Sequence, residues 1–383
     1  MNGTINERSI IVGVDAHKYS HTAAAVNAWG QEQGRFDFTN DSLVACLSWL
    51  STLGSRENIV VAVEDANSYG CHLVAALAAE HFVVRSVPAV LTERDRTHSA
   101  QRDKSDYGDA KRVARVILTK YEETLPVIES IADKEELALA TELNLLLNER
   151  RDVVKQQTAL KNQLHNLLHR QYGDHYGDQF PKTFHAKAME FYVADLANGG
   201  SSASHTHQSL TAESIVRRIH RLSLLQQQAK DIEKQIVCLG KTSPSIMALY
   251  AQIHGCGILT AAAIMAELVT IRRFSHKDKL AKYAGIAPTL KASGSHHRLY
   301  TNPFGNRLLN RAIHTIALSQ IAIKGDERGK VYYQKKLSEG KTKLWALRCL
   351  KRQMVNRVYQ TLKAVEGNAA IASAVQAEVS QPS

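Results

Sequence analysis

Between Ser9 and Asp15 the chain reads Ser9-Ile-Ile-Val-Gly-Val-Asp15, an apolar run of strand length that ends on a carboxylate. A run this short and this rich in β-branched residues predicts a central strand covered on both faces. His21–Asn27 and Gly34–Phe38 flank a turn at Trp29-Gly30, which predicts a hairpin continuing from that strand. A helix should follow, capped near Asn40 or Asp41. Asn58-Ile-Val-Val-Ala-Val-Glu64 repeats the opening pattern and again ends on a carboxylate. Tyr69–Glu80 reads as a helix and His81–Val87 as a further strand closed by Pro88.

Three strands, helix, strand, helix, strand, helix is the order of the ribonuclease H fold, an α/β arrangement in which the first and fourth strands are neighbours. On that fold Asp15 and Glu64 would lie close together, and two such carboxylates call for a neutralising cation. Asp106 and Asp109, in Lys104-Ser-Asp-Tyr-Gly-Asp-Ala110, stand three apart near a helix start and share a face. Four carboxylates can thus converge on divalent ions. Mg2+ suits oxygen ligands and phosphate substrates, with Mn2+ as a substitute, and two ions would stabilise both oxygens of an in-line phosphoryl displacement. Singly, each acid has a plainer reading: Asp15 and Glu64 as strand-end residues, Asp106 as an N-cap, Asp109 as a partner of the helix dipole. Their order along the chain favours the site, with Asp65 and Asp103 as alternatives at nearly the same places.

Lys134–Tyr172 and Leu210–Leu239 are rich in Leu, Gln and charge, and Leu160, Leu164, Leu167 and Gln171 form a seam of roughly heptad spacing. Two long paired coiled-coil helices are expected. Between them residues 173–208 carry Gly, Ser and His clusters such as Asn198-Gly-Gly-Ser-Ser-Ala-Ser204, which predict a loop insertion. Residues 245–365 return to helical patterning with Gly-marked turns, and the Ala-, Ser- and Gln-rich stretch from Gly367 reads as disordered. The expected domains are a metal domain at 1–125, coiled-coil helices at 126–240, a mostly helical basic domain at 241–366 and a tail at 367–383.

Charge separates these segments. Residues 241–366 hold 22 Lys and Arg against 6 Asp and Glu, a net +16, whereas 1–125 and 126–240 are net −3 and −1. A patch of this kind attracts a phosphate backbone through counterion release. Within it, Gly255-Cys-Gly257 precedes a helix and would turn backbone amides toward a phosphate, although the same turn also serves as an ordinary helical corner. Ser293 stands in the Gly-punctuated segment Tyr283–Arg298 near Lys291, Arg298 and Arg307, with Arg311 one turn further on. A serine hydroxyl becomes a useful nucleophile where cations stabilise the charge that develops on phosphorus. The five cysteines are single, so neither a zinc ribbon nor a disulfide framework is suggested. The N-terminus has no signal pattern and no apolar run is long enough to span a membrane, which predicts a cytoplasmic, nucleoid-associated protein.

With Val12-Gly-Val-Asp15, Ala62-Val-Glu64, Lys104–Ala110, Gly255-Cys-Gly257 and Ala284-Gly-Ile-Ala-Pro288 before Ala292-Ser-Gly294, the chain resembles the DEDD insertion-sequence transposases. These are bridge-RNA-guided serine recombinases related to Piv DNA invertases. The resemblance covers about residues 9–120 and 245–360. It implies a RuvC-like domain with Asp15, Glu64, Asp106 and Asp109 as metal-binding tetrad, a coiled coil, and a transposase domain whose Ser293 forms a covalent phosphoserine link to DNA. It also implies a composite site shared between subunits of a homodimer or homotetramer, and a noncoding RNA that pairs with donor and target DNA. Two departures stand out: His254 precedes Gly255 where the family has Pro, and Pro303-Phe304 precede Gly305 where basic residues are usual.

Three other functions would use the same residues differently: an invertase that works without RNA, a RuvC-like structure-specific nuclease using the acids alone, and a nucleic-acid scaffold, which the full set of four acids disfavours. A sugar kinase of actin-like fold shares the strand order, but His17-Lys-Tyr-Ser-His-Thr22 follows Asp15 where a Gly-rich phosphate loop would be needed.

Overall fold

A computed structural model describes residues 5–379 except 65, 67–68, 99–104, 122–123, 129–130, 175, 179, 181–182, 199–205, 294–295, 301 and 303–304. Asp65 and Asp103, the alternative acids, fall outside the described residues.

The opening apolar run forms β1 (Ile10–Ala16). It pairs antiparallel with β2 (His21–Asn27), which pairs with β3 (Glu32–Phe38). Gly30 supplies the positive φ, 80°, that the intervening turn needs. The next helix begins later than the sequence suggested. Thr39 N–H donates to Ser42 Oγ at 2.8 Å and closes a 3-10 turn, so that α1 (Leu43–Leu53) starts beyond Asn40 and Asp41. The run ending at Glu64 forms β4 (Ile59–Glu64), parallel to β1, and is followed by α2 (Cys71–Ala79) and β5 (Val83–Val87), parallel to β4. Then come α3 (Ala89–His98), α4 (Asp106–Lys120) and the edge strand β6 (Leu125–Ile128). The mixed sheet has the order β3-β2-β1-β4-β5-β6, compatible with a ribonuclease H-like arrangement.

Strand periodicity decides which residue meets which helix. Val12, Val14, Val61 and Val63 point to one face and share a core with Cys46 and Leu50 of α1 and Leu73, Val74 and Leu77 of α2. Ile11, Val60 and Ala62 point to the other and meet Leu91 of α3 and Val113, Ala114, Val116 and Ile117 of α4. Gly13 lies on this second face. A Cβ there would sit 2.1 Å from Ala110 O and 2.4 Å from Ala114 N, so α4 seats against β1 at a distance only glycine permits.

By its internal contacts the chain forms two compact units, Met1–Thr141 with Glu267–Ser383, and Glu142–Ala266. In the second, α5 (Ile131–Tyr172), which begins in the first unit, runs antiparallel to α7 (Thr206–Thr242). Arg150 pairs with Glu233 at 2.6 Å, Gln157 Nε2 donates to Leu225 O at 2.8 Å, and Arg218 Nε donates to Gln163 at 3.3 Å. On α7 the buried positions Ile215, Ile219, Leu222, Leu225, Ala229, Ile232 and Ile236 recur at three and four residues. On α5 the buried line is Val153, Leu160, Leu164 and Leu168, while the expected Leu167 and Gln171 are only half-buried. The α5 face turns there because it also meets α6 (Ala186–Ala197), where Tyr172 donates to Asp195 at 2.9 Å and its ring lies tilted against that of Tyr192. Helix α6 corrects the expectation of a loop throughout 173–208. Ala188, Met189 and Tyr192 give it a buried face that the surrounding Gly, Ser and His clusters mask in the sequence. The unit ends with α8 (Pro244–Gln252) and most of α9 (Ile258–Leu268).

The C-terminal part of the first unit contains α10 (Lys277–Tyr283), a hairpin of β7 (Thr289–Ser293) and β8 (His296–Tyr300), then α11 (Arg307–Ile321), α12 (Glu327–Ser338) and α13 (Lys343–Val379). Helices α11, α12 and α13 pack against one another. The helical backbone of α13 continues through Gly367 to Val379, where disorder was expected. Alanine at 369, 370, 372, 374 and 377 has the highest helix propensity of any residue, which composition alone did not weigh.

Candidate active site

The face of the sheet that receives α4 also carries the two strand-end carboxylates. Asp15 follows Gly13 by two residues and Glu64 follows Ala62 by two, so both share the α4 face. The strands are in register, with Val14 opposite Val63, which sets Asp15 and Glu64 at the ends of adjacent parallel strands. Helix α4 starts beside them. Its N-cap is Ser105, whose side chain accepts from Gly108 N–H at 3.1 Å; Asp106, expected as a possible cap, is the first helical residue instead. Asp106 and Asp109 thus occupy the first turn, where a carboxylate also complements the helix dipole.

Side chains in the cluster are closely coupled. His17 Nε2 lies 3.1 Å from Asp15 Oδ2 and 3.6 Å from Asp106 Oδ1, and these three residues bring ligand-type atoms within 4.8 Å of one another. Asp15 has its pKa raised, first by burial and further by the charges of Asp109 and Asp106, against the lowering effect of His17. Arg112, a buried residue of α4 itself, holds Asp109 Oδ1 at 2.5 Å. Glu64 Oε1 accepts from Thr92 Oγ1 at 3.1 Å. Arg96 pairs with Glu93 at 2.5 Å, and its pKa is raised by that contact and by the charges of Asp109 and Glu64. Of the four expected acids, Asp15 and Asp106 join His17 in the close group, Asp109 acts on Asp15 through its charge, and Glu64 ends the neighbouring strand with Thr92 as its partner. The carboxylates, with Asp15 held from ionising freely first by burial and then by the charges of Asp109 and Asp106, fit a divalent cation, and His17 adds a nitrogen donor to the same space.

His17, Thr92, Arg96 and Arg112 went unread in the sequence. His17 left a signal: it follows Asp15 by two residues at a strand end, the spacing that returns a side chain to the same face. The arginines carried none, because Asp109 with Arg112 is an ordinary i, i+3 pair on a helix.

The basic candidates are distributed differently. Gly255 takes φ +76° and Gly257 precedes α9, its carbonyl accepting from Thr260 and Ala261 N–H at 2.9 Å each. Ser293 ends β7 opposite His296, and Lys291 pairs in register with Arg298; the side chains of these residues are outside the described set. The hairpin itself was not expected from sequence, its two strands being five residues each and polar. Its base is closed tightly. Gly285, at φ +64°, meets Gly305 so closely that a Cβ on Gly305 would lie 2.1 Å from Gly285 Cα, and Asn306 N–H donates to Tyr283 O at 2.7 Å. Asn306 caps α11 by accepting from Leu309 N–H and donates to Glu267 at 2.5 Å. Arg307 and Arg311 stand one turn apart on an exposed face of α11.

A mixed sheet with helices on both faces and acids at the ends of two adjacent parallel strands, followed by a helical basic region, is compatible with the ribonuclease H-like class of protein, and its acidic group suits a divalent cation. The comparisons with known proteins narrow it. Residues 12–172 match a family model described as a transposase, of the DEDD type of IS110 elements, and residues 247–334 match that of the transposase IS116/IS110/IS902 family. The chain belongs to this family of insertion-sequence transposases. An uncharacterised 43.6 kDa protein of insertion element IS110 from Streptomyces coelicolor is 32% identical over 143 residues, 37% of this chain and 35% of that protein. An uncharacterised 44.8 kDa protein of insertion element IS116 from Streptomyces clavuligerus is 25% identical over 388 aligned positions, 92% of this chain and 94% of that protein. No helix among the described residues is long and apolar enough to cross a membrane.

Proposed function

We propose that the protein is the RNA-guided DNA recombinase of an insertion sequence, joining DNA strands through a phosphoserine intermediate at Ser293. What supports this reading is the close group of Asp15, His17 and Asp106 at the end of β1, with Asp109 in the same helical turn and Glu64 ending the adjacent strand, in a chain of a transposase family. Those four residues would hold Mg2+, with Mn2+ as a substitute. When bound, the ions supply stabilisation of charge on the attacking and leaving oxygens. Ser293 Oγ attacks a backbone phosphorus: the Oγ–P bond forms, one P–O bond of the phosphodiester breaks, and the serine proton ends on the departing sugar oxygen. The ester is conserved in the protein–DNA link, so the reverse step with a second strand's hydroxyl rejoins DNA without a nucleotide cofactor. Lys291, Arg298, Arg307 and Arg311 neutralise the phosphates around that step, and the amides at Gly255 and Gly257 receive another. A noncoding RNA carries sequence choice, the RuvC-like domain, coiled coil and basic domain divide the work, and the active form is a homodimer or homotetramer.

The test is to purify the protein with its co-purifying RNA and incubate it with Mg2+ and DNA spanning the element boundary. A protease-sensitive protein–DNA adduct is expected, and Ser293→Ala should abolish it. Recombinant junctions formed by Ser293→Ala would overturn the nucleophile. An adduct without RNA would select an invertase that reads its site by protein contacts, and metal-dependent nicking without adduct would reduce the activity to that of a structure-specific nuclease.

A further inference from the structure

The C-terminal helices line an open cavity of about 730 Å³ whose Arg307 and Arg311 the chemistry above already turns toward phosphate and whose aromatic wall it does not use. Its lining combines two features that rarely serve one ligand unless that ligand is both flat and anionic. One wall is apolar and aromatic. Trp345, half-buried at the start of α13, forms it with Leu344, Leu347 and Ile286, and the Arg348 guanidinium lies over the indole at 4.8 Å from the ring centroid. Beside neutral polar groups, the lining carries Arg307, Arg311, Lys341, Arg348, Lys351 and Arg352, and no carboxylate among the described residues. Asp278 neutralises Arg352 and Glu339 pairs with Lys341 at 3.1 Å. Arg307, Arg311, Arg348 and Lys351 have no carboxylate partner among the described residues.

Four like charges around one cavity repel one another. The cost is visible at Lys351, which is nearly buried: burial first, and Arg348 second, push its ammonium down to about 8, although Asn310 Oδ1 accepts a hydrogen bond from it. An anion entering the cavity relieves that repulsion, and a planar aromatic group extends the Trp345–Arg348 stack. A volume of this size lies in the range of sites that take small organic ligands.

We propose that this cavity takes one unstacked nucleotide of a single strand, its base against Trp345 and its phosphate on Arg307 and Arg311 of α11. The proposal rests on the reading of nucleic acid as substrate and adds a site to it. Position gives the site its use. Pro288 and Tyr300 line the cavity, and Thr289 and Tyr300 are the register pair that closes the serine hairpin. From Thr289 to Ser293 is four strand steps, about 13 Å at roughly 3.3 Å per residue. A nucleotide held in the cavity therefore fixes the strand a few nucleotides from the hairpin end, where Ser293 stands.

The experiment measures binding of fluorescein-labelled dT12, rU12 and a 12-mer of abasic deoxyribose phosphates to the full-length protein, by anisotropy at fixed salt. If one base stacks in the cavity, dT12 or rU12 binds wild type about 5- to 160-fold more tightly than the abasic strand, the range stacking of one base supplies. Trp345→Ala removes that difference, and Trp345→Phe, which keeps an aromatic face, retains most of it. Preference for dT12 assigns the cavity to DNA, and preference for rU12 assigns it to RNA. Equal binding of all three strands by the wild type overturns the proposal without reliance on any variant, and so does a base-dependent difference that Trp345→Ala leaves intact in a protein of unchanged circular dichroism. Neither result bears on Ser293. Loss of the serine adduct with the base-dependent binding preserved would sink the recombinase reading and leave the nucleotide site standing.

Discussion

Asp15 is a residue that the fold holds at a cost. Burial and the charges of Asp109 and Asp106 raise its pKa above the ordinary 3.8, only partly offset by His17. A carboxyl whose folded-state pKa is raised binds more protons folded than unfolded. Its penalty is absent below the ordinary value, grows as pH rises through the raised one, and is constant above it. Without divalent ions, Asp15→Asn is therefore expected to melt at a higher temperature than wild type at pH 7, and at the same temperature near pH 3.5. Adding Mn2+ should then reverse the ranking. An ion at a hundred times its dissociation constant stabilises the protein it binds by about 2.7 kcal/mol, and only the wild type has the full ligand set. Thermal melts of both proteins with and without Mn2+ check this. If Asp15→Asn melted lower at pH 7 and still responded to the ion, the carboxylate would be an ordinary strand-end group.

At the scale of elements, the site depends on how closely α4 lies on β1. Gly13→Ala would drive a Cβ into Ala110 O and Ala114 N, backbone atoms that yield only if the helix moves. Overpacking of this kind costs about 1–3 kcal/mol. A displacement on the order of 1 Å of Asp106 and Asp109 is expected to cost about 100-fold in rate, so adduct formation should fall far more steeply than the melting temperature. A variant of full rate would show that α4 does not position the acids. This dependence also marks what was legible in the sequence. The strands β1, β4 and β5 and the placing of Asp15, Glu64, Asp106 and Asp109 followed from run length and from periods of two and of three to four, which are local. Gly13 read as one more residue of a strand, because its reason lies in Ala110 and Ala114, some hundred positions on. His17 was half legible: its nearer partner Asp15 stands two residues before it, while Asp106 belongs to another element. Helix α6 and the β7–β8 hairpin were hidden by length, since twelve residues among Gly and Ser clusters, or two strands of five, leave little pattern to read.

The whole molecule separates its charges along the chain: the acids lie in a segment of net −3, and Ser293 with its basic neighbours in one of net +16. Family resemblance implies that one subunit's acids serve another's serine, and this has a consequence that charge alone does not. Asp15→Asn and Ser293→Ala should each be inactive by themselves. If every subunit used its own acids and its own serine, a mixture of the two would hold no intact site in any combination. If the acids of one subunit face the serine of the next, a mixed dimer pairs the intact acids of the Ser293→Ala chain with the intact serine of the Asp15→Asn chain. Random assortment makes half of the dimers mixed, each with one good site of two, so about one quarter of wild-type adduct formation is expected after refolding the variants together. The adduct should form only on the Asp15→Asn chain, which a size tag on either variant reveals in a gel. Recovery of activity with the adduct on that chain requires a site built across subunits, and complete inactivity of a mixture shown to contain mixed dimers would mean that each subunit cuts DNA alone.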